Sequence, residues 1–208
     1  MAANTPAYWL EATQALAARD AFLKEIISRH DGLALGSRGD AFCTLARAIV
    51  GQQISVKAAQ SVWGRFETRL GGVTPAAVCR TRHASLRLCG LSTQKAAYLK
   101  DLAARFSSGA LDPSHWNDLD DEGLIAELTQ VKGIGRWTAE IFLIFYLARP
   151  DVLPLADLGL QRALRQHYNR GRPMTLARMQ RIGKTWAPWR SVATWYLWRS
   201  LDPVNGEG

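Results

Sequence analysis

The stretch Val131-Lys-Gly-Ile-Gly-Arg-Trp-Thr-Ala139 decides the reading of this chain. Two glycines flank a single isoleucine directly before an apolar run. Gly133 and Gly135 are free to take positive φ, so the Gly-Ile-Gly core predicts a sharp hairpin between two helices. The second helix then offers its unpaired first-turn N–H groups, with the helix dipole behind them, to an anion such as a phosphate oxygen. A single acid, Asp157, follows Trp137 by twenty residues.

Outward from the hairpin, nearly every segment carries helical spacing, and no stretch alternates with period two for long enough to form a strand. Helices are expected over about 7–30, 40–50, 55–70, 93–106, 120–130, 137–148, 157–167, 174–186 and 188–201. Ser55 is placed to cap one of them, and Thr74-Pro75 has the form of an N-cap followed by proline at the first helical position. A second glycine-centred turn, Leu88-Cys-Gly-Leu-Ser-Thr-Gln-Lys95, opens the helix at 93. The segments 33–40, 107–118 and 150–156 read as linkers. The fold class is all-α.

Lys and Arg number 26 against 18 Asp and Glu, a net charge of +8, and most of the excess is Arg, which favours a polyanionic partner. With 48% apolar residues and eight Trp, the chain is globular rather than disordered. Three cysteines cannot form a fully paired disulfide framework, so Cys43, Cys79 and Cys89 are expected as reduced thiols in a cytoplasmic compartment. Cys79, His83 and Cys89 match no common zinc spacing. The longest apolar run, Ile141 to Ala148, is too short to span a bilayer. The N-terminus lacks a basic region followed by an apolar core, so no signal peptide is expected.

Four landmarks carry a resemblance: Ile49-Val-Gly-Gln-Gln-Ile-Ser-Val-Lys-Ala-Ala59, the hairpin 129–139, Leu155-Ala-Asp-Leu-Gly-Leu160 and Trp186-Ala-Pro-Trp-Arg-Ser191. In that order they resemble the DNA-3-methyladenine glycosylase II family of the helix-hairpin-helix DNA glycosylase superfamily, over about residues 38–200. The resemblance implies a compact form without an N-terminal β-rich domain. It implies two helical lobes, 1–39 with 150–208 and 40–149, and a DNA-binding cleft between them. The chain would act as a monomer on double-stranded DNA containing damaged bases, associated with the nucleoid in a bacterium, and would bind no membrane.

The implied activity is hydrolysis of the N-glycosidic bond of alkylated purines, 3-methyladenine and 7-methylguanine, to leave an abasic site. Asp157 would be the catalytic carboxylate, steadying the positive charge that builds on the sugar and orienting water. Its local alternative is to cap the helix it begins. Ala156 stands where some relatives carry an additional acid, and Asp151 is the other acid in the preceding loop. Bifunctional relatives place a Schiff-base lysine where this chain has Trp137, so a monofunctional enzyme is implied. Lys132 lies in the hairpin and would meet solvent or phosphate.

Alkylated purines are cationic, and aromatic faces suit them. The resemblance places Trp137 and Trp198 beside the base pocket, with Tyr196 on the same helix as Trp198. The alternative for the rings of the final helix is core packing; Trp137, next to the hairpin glycines, is the exception. Because the target base must leave the stack, a wedge is needed. Gln53, with Gln52 before it, takes that role by resemblance, or else both cover a helix–helix turn.

Backbone N–H groups of Gly133 and Gly135, supported by Lys132, Arg136 and Lys57, would hold the DNA backbone. Main-chain carbonyls of Thr129, Val131 and Ile134 would hold a monovalent cation, by resemblance only. Without a four-cysteine set, no iron–sulfur cluster is expected. Arg190 reads equally as a phosphate contact or as the partner of a carboxylate. Two alternatives stand beside this reading: a glycosylase for uracil, hypoxanthine or an oxidised base, and a non-catalytic helix-hairpin-helix DNA-binding module.

Overall fold

The computed structural model describes residues 5–36 and 39–202, which form twelve α-helices and a single 3-10 turn, with no strand among them. The chain divides into two compact units, Met1–Ser37 with Leu143–Gly208, and Arg38–Phe142. The first holds α1 (Trp9–Arg19), α2 (Ala21–Arg29), α10 (Leu158–Asn169), α11 (Leu176–Lys184) and α12 (Arg190–Arg199). The second holds α3 (Ala41–Gly51), α4 (Val56–Leu70), α5 (Pro75–Arg80), α6 (His83–Arg87), α7 (Thr93–Ser108) and α8 (Asp121–Leu128). The helix α9 (Arg136–Phe145) starts in the second unit and ends past its boundary.

Short polar side chains set most helix starts. Asp40 accepts from Cys43 N–H, Ser55 from Ala58 N–H, Thr74 from Ala77 N–H and Ser92 from Lys95 N–H. Each satisfies an orphan donor, worth about 1 kcal/mol. In the second unit the apolar stripe of α3, Phe42, Leu45, Ala46 and Ile49, is buried as its spacing predicts. Edge-to-face rings continue that core from Phe42 to Phe106, from Phe106 to Trp116 and from Trp116 to Phe142. Trp116 is fully buried, and its indole N–H is satisfied by Glu127.

The single helix expected over 7–30 is two helices. Asp20 breaks it, because one carboxylate oxygen caps Phe22 and Leu23 while the other accepts from Tyr168 Oη at 2.7 Å and Trp186 Nε1 at 3.0 Å. In the same unit α12 is surrounded, with every residue from Ser191 to Leu197 buried. The apolar helix expected over 137–148 stops at Phe145, and α11 and α12 are shorter than their spacing suggested.

Candidate nucleic-acid interface and active site

The glutamine loop follows α3. Gly51 ends the helix, Gln52 turns extended at φ −56° and ψ 133°, and Gln53 sits in the left-handed region at φ 58°. That conformation is costly for a residue with a β-carbon. Gln53 is exposed, whereas Gln52 is half-buried with its amide Nε2 donating to the Gly133 carbonyl at 2.8 Å. The two glutamines therefore divide: Gln52 ties the loop to the hairpin, and only Gln53 faces outward as a wedge requires. Lys57, in the first turn of α4, is exposed.

In the hairpin, Gly133 takes φ +84°, and a β-carbon there would lie 2.1 Å from the Tyr98 ring. Gly135 does not take positive φ. It precedes Arg136, the first residue of α9, and its carbonyl accepts Ala139 N–H at 3.0 Å. The expectation for two positive-φ glycines is thus corrected to one, because the second is already the start of a helix. The Val131 carbonyl accepts Ile134 N–H at 3.0 Å, and Thr129 is the C-cap of α8.

Helix α7 holds both loops, a feature that the motifs did not reveal. Lys95 Nζ donates to the carbonyls of Val50 at 2.8 Å and Gln52 at 2.6 Å. One turn on, Tyr98 packs on Gly133, and Asp101 Oδ2 then accepts Lys132 N–H at 3.0 Å. These residues recur every third position, along the edge of the buried face of Ala96, Leu99, Leu102 and Ala103. That polar stripe was the available signal. Burial lowers the Lys95 ammonium from its ordinary value.

A cavity of about 610 Å³ lies among these parts, lined by Arg47, Gly51, Gln52, Gln53, Gly135 and Trp137. Trp137 lines this cavity and remains 44% exposed. Lys132 is exposed as expected. Arg136 is instead engaged by carboxylates: its Nη1 and Nη2 grip Glu122 at 2.8 and 2.5 Å, and its Nε meets Glu140 at 2.9 Å. The phosphate contact expected of Arg136 would have to displace or share these carboxylate partners.

In the other unit, Asp157 caps α10. Its Oδ1 accepts Leu160 N–H at 2.6 Å and Trp198 Nε1 at 2.8 Å. Trp198 stacks on Phe145 with centroids 5.6 Å apart and planes 11° from parallel. Gly159 permits the close approach, because a β-carbon there would sit 3.1 Å from Asp157 Oδ1 and 3.3 Å from Trp198 Cδ1. The local reading of Asp157 holds, since the carboxylate caps a helix, and the side chain remains half-exposed. Trp198 carries a polar role towards that acid besides its ring face.

Tyr196 is corrected. It is 3% exposed, with its ring 5.8 Å from Trp9 and 4.9 Å from Trp195, so it belongs to the core and not to a pocket. Burial raises its hydroxyl above the ordinary tyrosine value. Arg190 pairs with Asp151 through Nε at 2.6 Å and Nη2 at 2.8 Å, which settles its two readings in favour of a carboxylate. Asp151 is thereby engaged, leaving Asp157 as the acid of the α10 start.

Known proteins resemble the chain in sequence and in fold. The model of the HhH-GPD superfamily base excision DNA repair proteins matches residues 46–188. DNA-3-methyladenine glycosylase 1 of Schizosaccharomyces pombe is 36% identical over 160 residues, covering 75% of this chain and 70% of that protein. The chain spans about two thirds of the length of such curated relatives. The crystal structure of a Bacillus halodurans DNA-3-methyladenine glycosidase superimposes with a TM-score of 0.83 at 35% identity, covering 91% of this chain and 88% of that one. The Schizosaccharomyces pombe enzyme Mag1, solved in complex with abasic DNA, superimposes with a TM-score of 0.78 at 31% identity, covering 91% and 96%. The chain therefore belongs to the HhH-GPD superfamily of base excision DNA repair proteins, and within it stands with the DNA-3-methyladenine glycosylases.

Proposed function

We propose that the chain is a monofunctional DNA glycosylase that hydrolyses the N-glycosidic bond of alkylated purines, 3-methyladenine and 7-methylguanine, in double-stranded DNA. It acts as a monomer in base-excision repair and leaves an abasic site. The observation that carries this reading is Asp157, a half-exposed carboxylate fixed through Oδ1 by a helix N–H and an indole N–H. As the bond to the base breaks, positive charge grows on the sugar, and a fixed anion stabilises that charge without reorganising. Water then adds to the sugar carbon, with Asp157 orienting it and taking up its proton.

Trp137 supplies a face for a cationic base and no amine for a Schiff base, so the strand stays intact. Trp198 supports the acid. Gln53 fills the gap left by the flipped nucleotide, its side chain replacing the missing stacking. The N–H groups of Gly133 and Gly135, with Lys132 and Lys57, hold the DNA backbone. The carbonyls of Thr129, Val131 and Ile134 suit a monovalent cation: they are neutral oxygens that follow the C-terminal, electronegative end of α8. Such an ion would supply positive charge near a phosphate.

The test incubates methylated duplex DNA with wild type and Asp157→Asn, identifies released bases by mass and checks strand integrity before and after alkali. Wild type should release 3-methyladenine or 7-methylguanine, with breaks only after alkali. The variant should lose about 10²- to 10⁴-fold in rate. Asparagine remains a good N-cap, so the fold should persist. Equal release by both proteins, or breaks without alkali, would refute the reading.

A further inference from the structure

We propose that the corner between α10 and α11 is a second surface for the phosphate backbone of duplex DNA, separate from the hairpin and indifferent to damage. The choice of DNA among polyanions rests on the repair function proposed above. Residues 158–201 contain nine Lys and Arg and no Asp or Glu. Of the 26 basic residues, 17 remain elsewhere, against all 18 acidic ones. The rest of the chain taken together is close to neutral, so this segment carries the surplus charge of the chain.

The corner is a built structure. Arg178 Nη1 donates to Asn169 Oδ1 at 2.9 Å, and its Nη2 to the Tyr168 carbonyl at 3.2 Å. Asn169 in turn donates through Nδ2 to the carbonyls of Arg172 at 3.1 Å and Pro173 at 2.8 Å. The loop after α10 is thereby pinned beside the first turn of α11. Arg170 caps α10 in the left-handed region at φ 54°, a position that favours glycine or asparagine. An arginine stands there despite that cost.

Along α11, Arg181 and Lys184 follow Arg178 at three and six residues, so the three cations share one face over about 9 Å of helix. The other face is seated closely: Met179 is buried, and a β-carbon at Gly183 would lie 2.4 Å from Leu153. Arg170, Arg172, Arg178, Arg181 and Lys184 are all exposed. None of the ion pairs among the described residues involves them, and the partners of Arg178 are neutral. Clustered cations repel one another, and a surface serving solubility alone intersperses the two signs. A ligand with regularly spaced anions offsets that repulsion, as a phosphate backbone does.

The test is a triple variant, Arg172→Gln, Arg181→Gln and Lys184→Gln, which leaves the loop-pinning Arg178 in place. Its control makes the same charge change at exposed residues of α5, α6 and the turn between them: Arg80→Gln, Arg82→Gln and Arg87→Gln. Binding to an undamaged labelled duplex is measured over a salt series. The triple variant should bind at least about tenfold more weakly, and its salt slope should shrink by about 0.9 for each phosphate it no longer neutralises. The control should change little. Excision from a short methylated duplex at saturating enzyme should be unaltered. Because the binding is read on undamaged DNA, failure to excise any lesion would overturn the glycosylase reading and leave this one standing. An unchanged salt slope, an equal weakening in the control, or a weakening confined to single-stranded RNA or anionic vesicles would overturn it.

Discussion

The indole N–H of Trp198 and the backbone N–H of Leu160 converge on one oxygen of Asp157, at 2.8 and 2.6 Å. Trp198→Phe retains an aromatic stack against Phe145 but removes one donor. A hydrogen bond to a charged group is worth about 1.5–3 kcal/mol. Single-turnover excision should fall about tenfold or more, and the melting temperature by a few degrees. A drop in melting temperature with an unaltered rate would show that the indole serves the fold alone.

Gln53→Gly should move stability and activity in opposite directions. Glycine relieves the left-handed backbone at φ 58°, so stability should rise by up to about 1 kcal/mol after allowing for the looser unfolded chain. Excision should fall, because the wedge is gone. A fluorescent base analogue beside the lesion reports the step: its signal should stay close to that of the stacked duplex. Wild-type excision by this variant would remove Gln53 from the mechanism.

Gly133→Ala should be among the most damaging single substitutions. It forces a β-carbon to within 2.1 Å of the Tyr98 ring and places it on a backbone at φ +84°. Strain and overpacking together cost about 3 kcal/mol or more. Pairing it with Tyr98→Ala should recover only the packing share. Denaturant melts of the four proteins in the cycle measure that coupling, and strict additivity would contradict the close approach of ring and glycine.

Asp101 gives the hairpin a pH dependence. Burial pushes its carboxyl up, but the Lys132 N–H and the Arg105 guanidinium together outweigh this and hold it below the usual 3.8. A depressed carboxylate contributes stability that is complete above its unfolded value and lost as pH falls through its folded value. Wild type should therefore show an acid-side decline in melting temperature beginning near pH 4. Asp101→Asn should lower stability at neutral pH by about 1 kcal/mol and make that decline shallower. Parallel curves for the two proteins would place the decline elsewhere.

Local chemistry was legible in the sequence wherever the partner was near. Asp40, Ser55, Thr74 and Asp157 each announce a helix because the N–H they satisfy lies three residues on. Asp20 did not announce its break, since its second oxygen serves Tyr168 and Trp186 far along the chain. The same holds for Lys95, whose acceptors at Val50 and Gln52 are distant in sequence, and for Arg136, whose fork is filled by Glu122. Trp198 and Tyr196 were grouped by proximity, yet two positions on a helix point some 200° apart. One meets Asp157 and the other meets Trp9.

The bonds from Lys95 to Gln52 and from Gln52 to Gly133 have a thermodynamic consequence. They make the glutamine loop and the hairpin one preorganised jig, whose internal spacing exists before any duplex arrives. The entropy of ordering that loop is then charged to folding and not to association. A chain so arranged gives up some conformational freedom while idle. It gains in return a fixed offset between the strand it holds and the gap it fills.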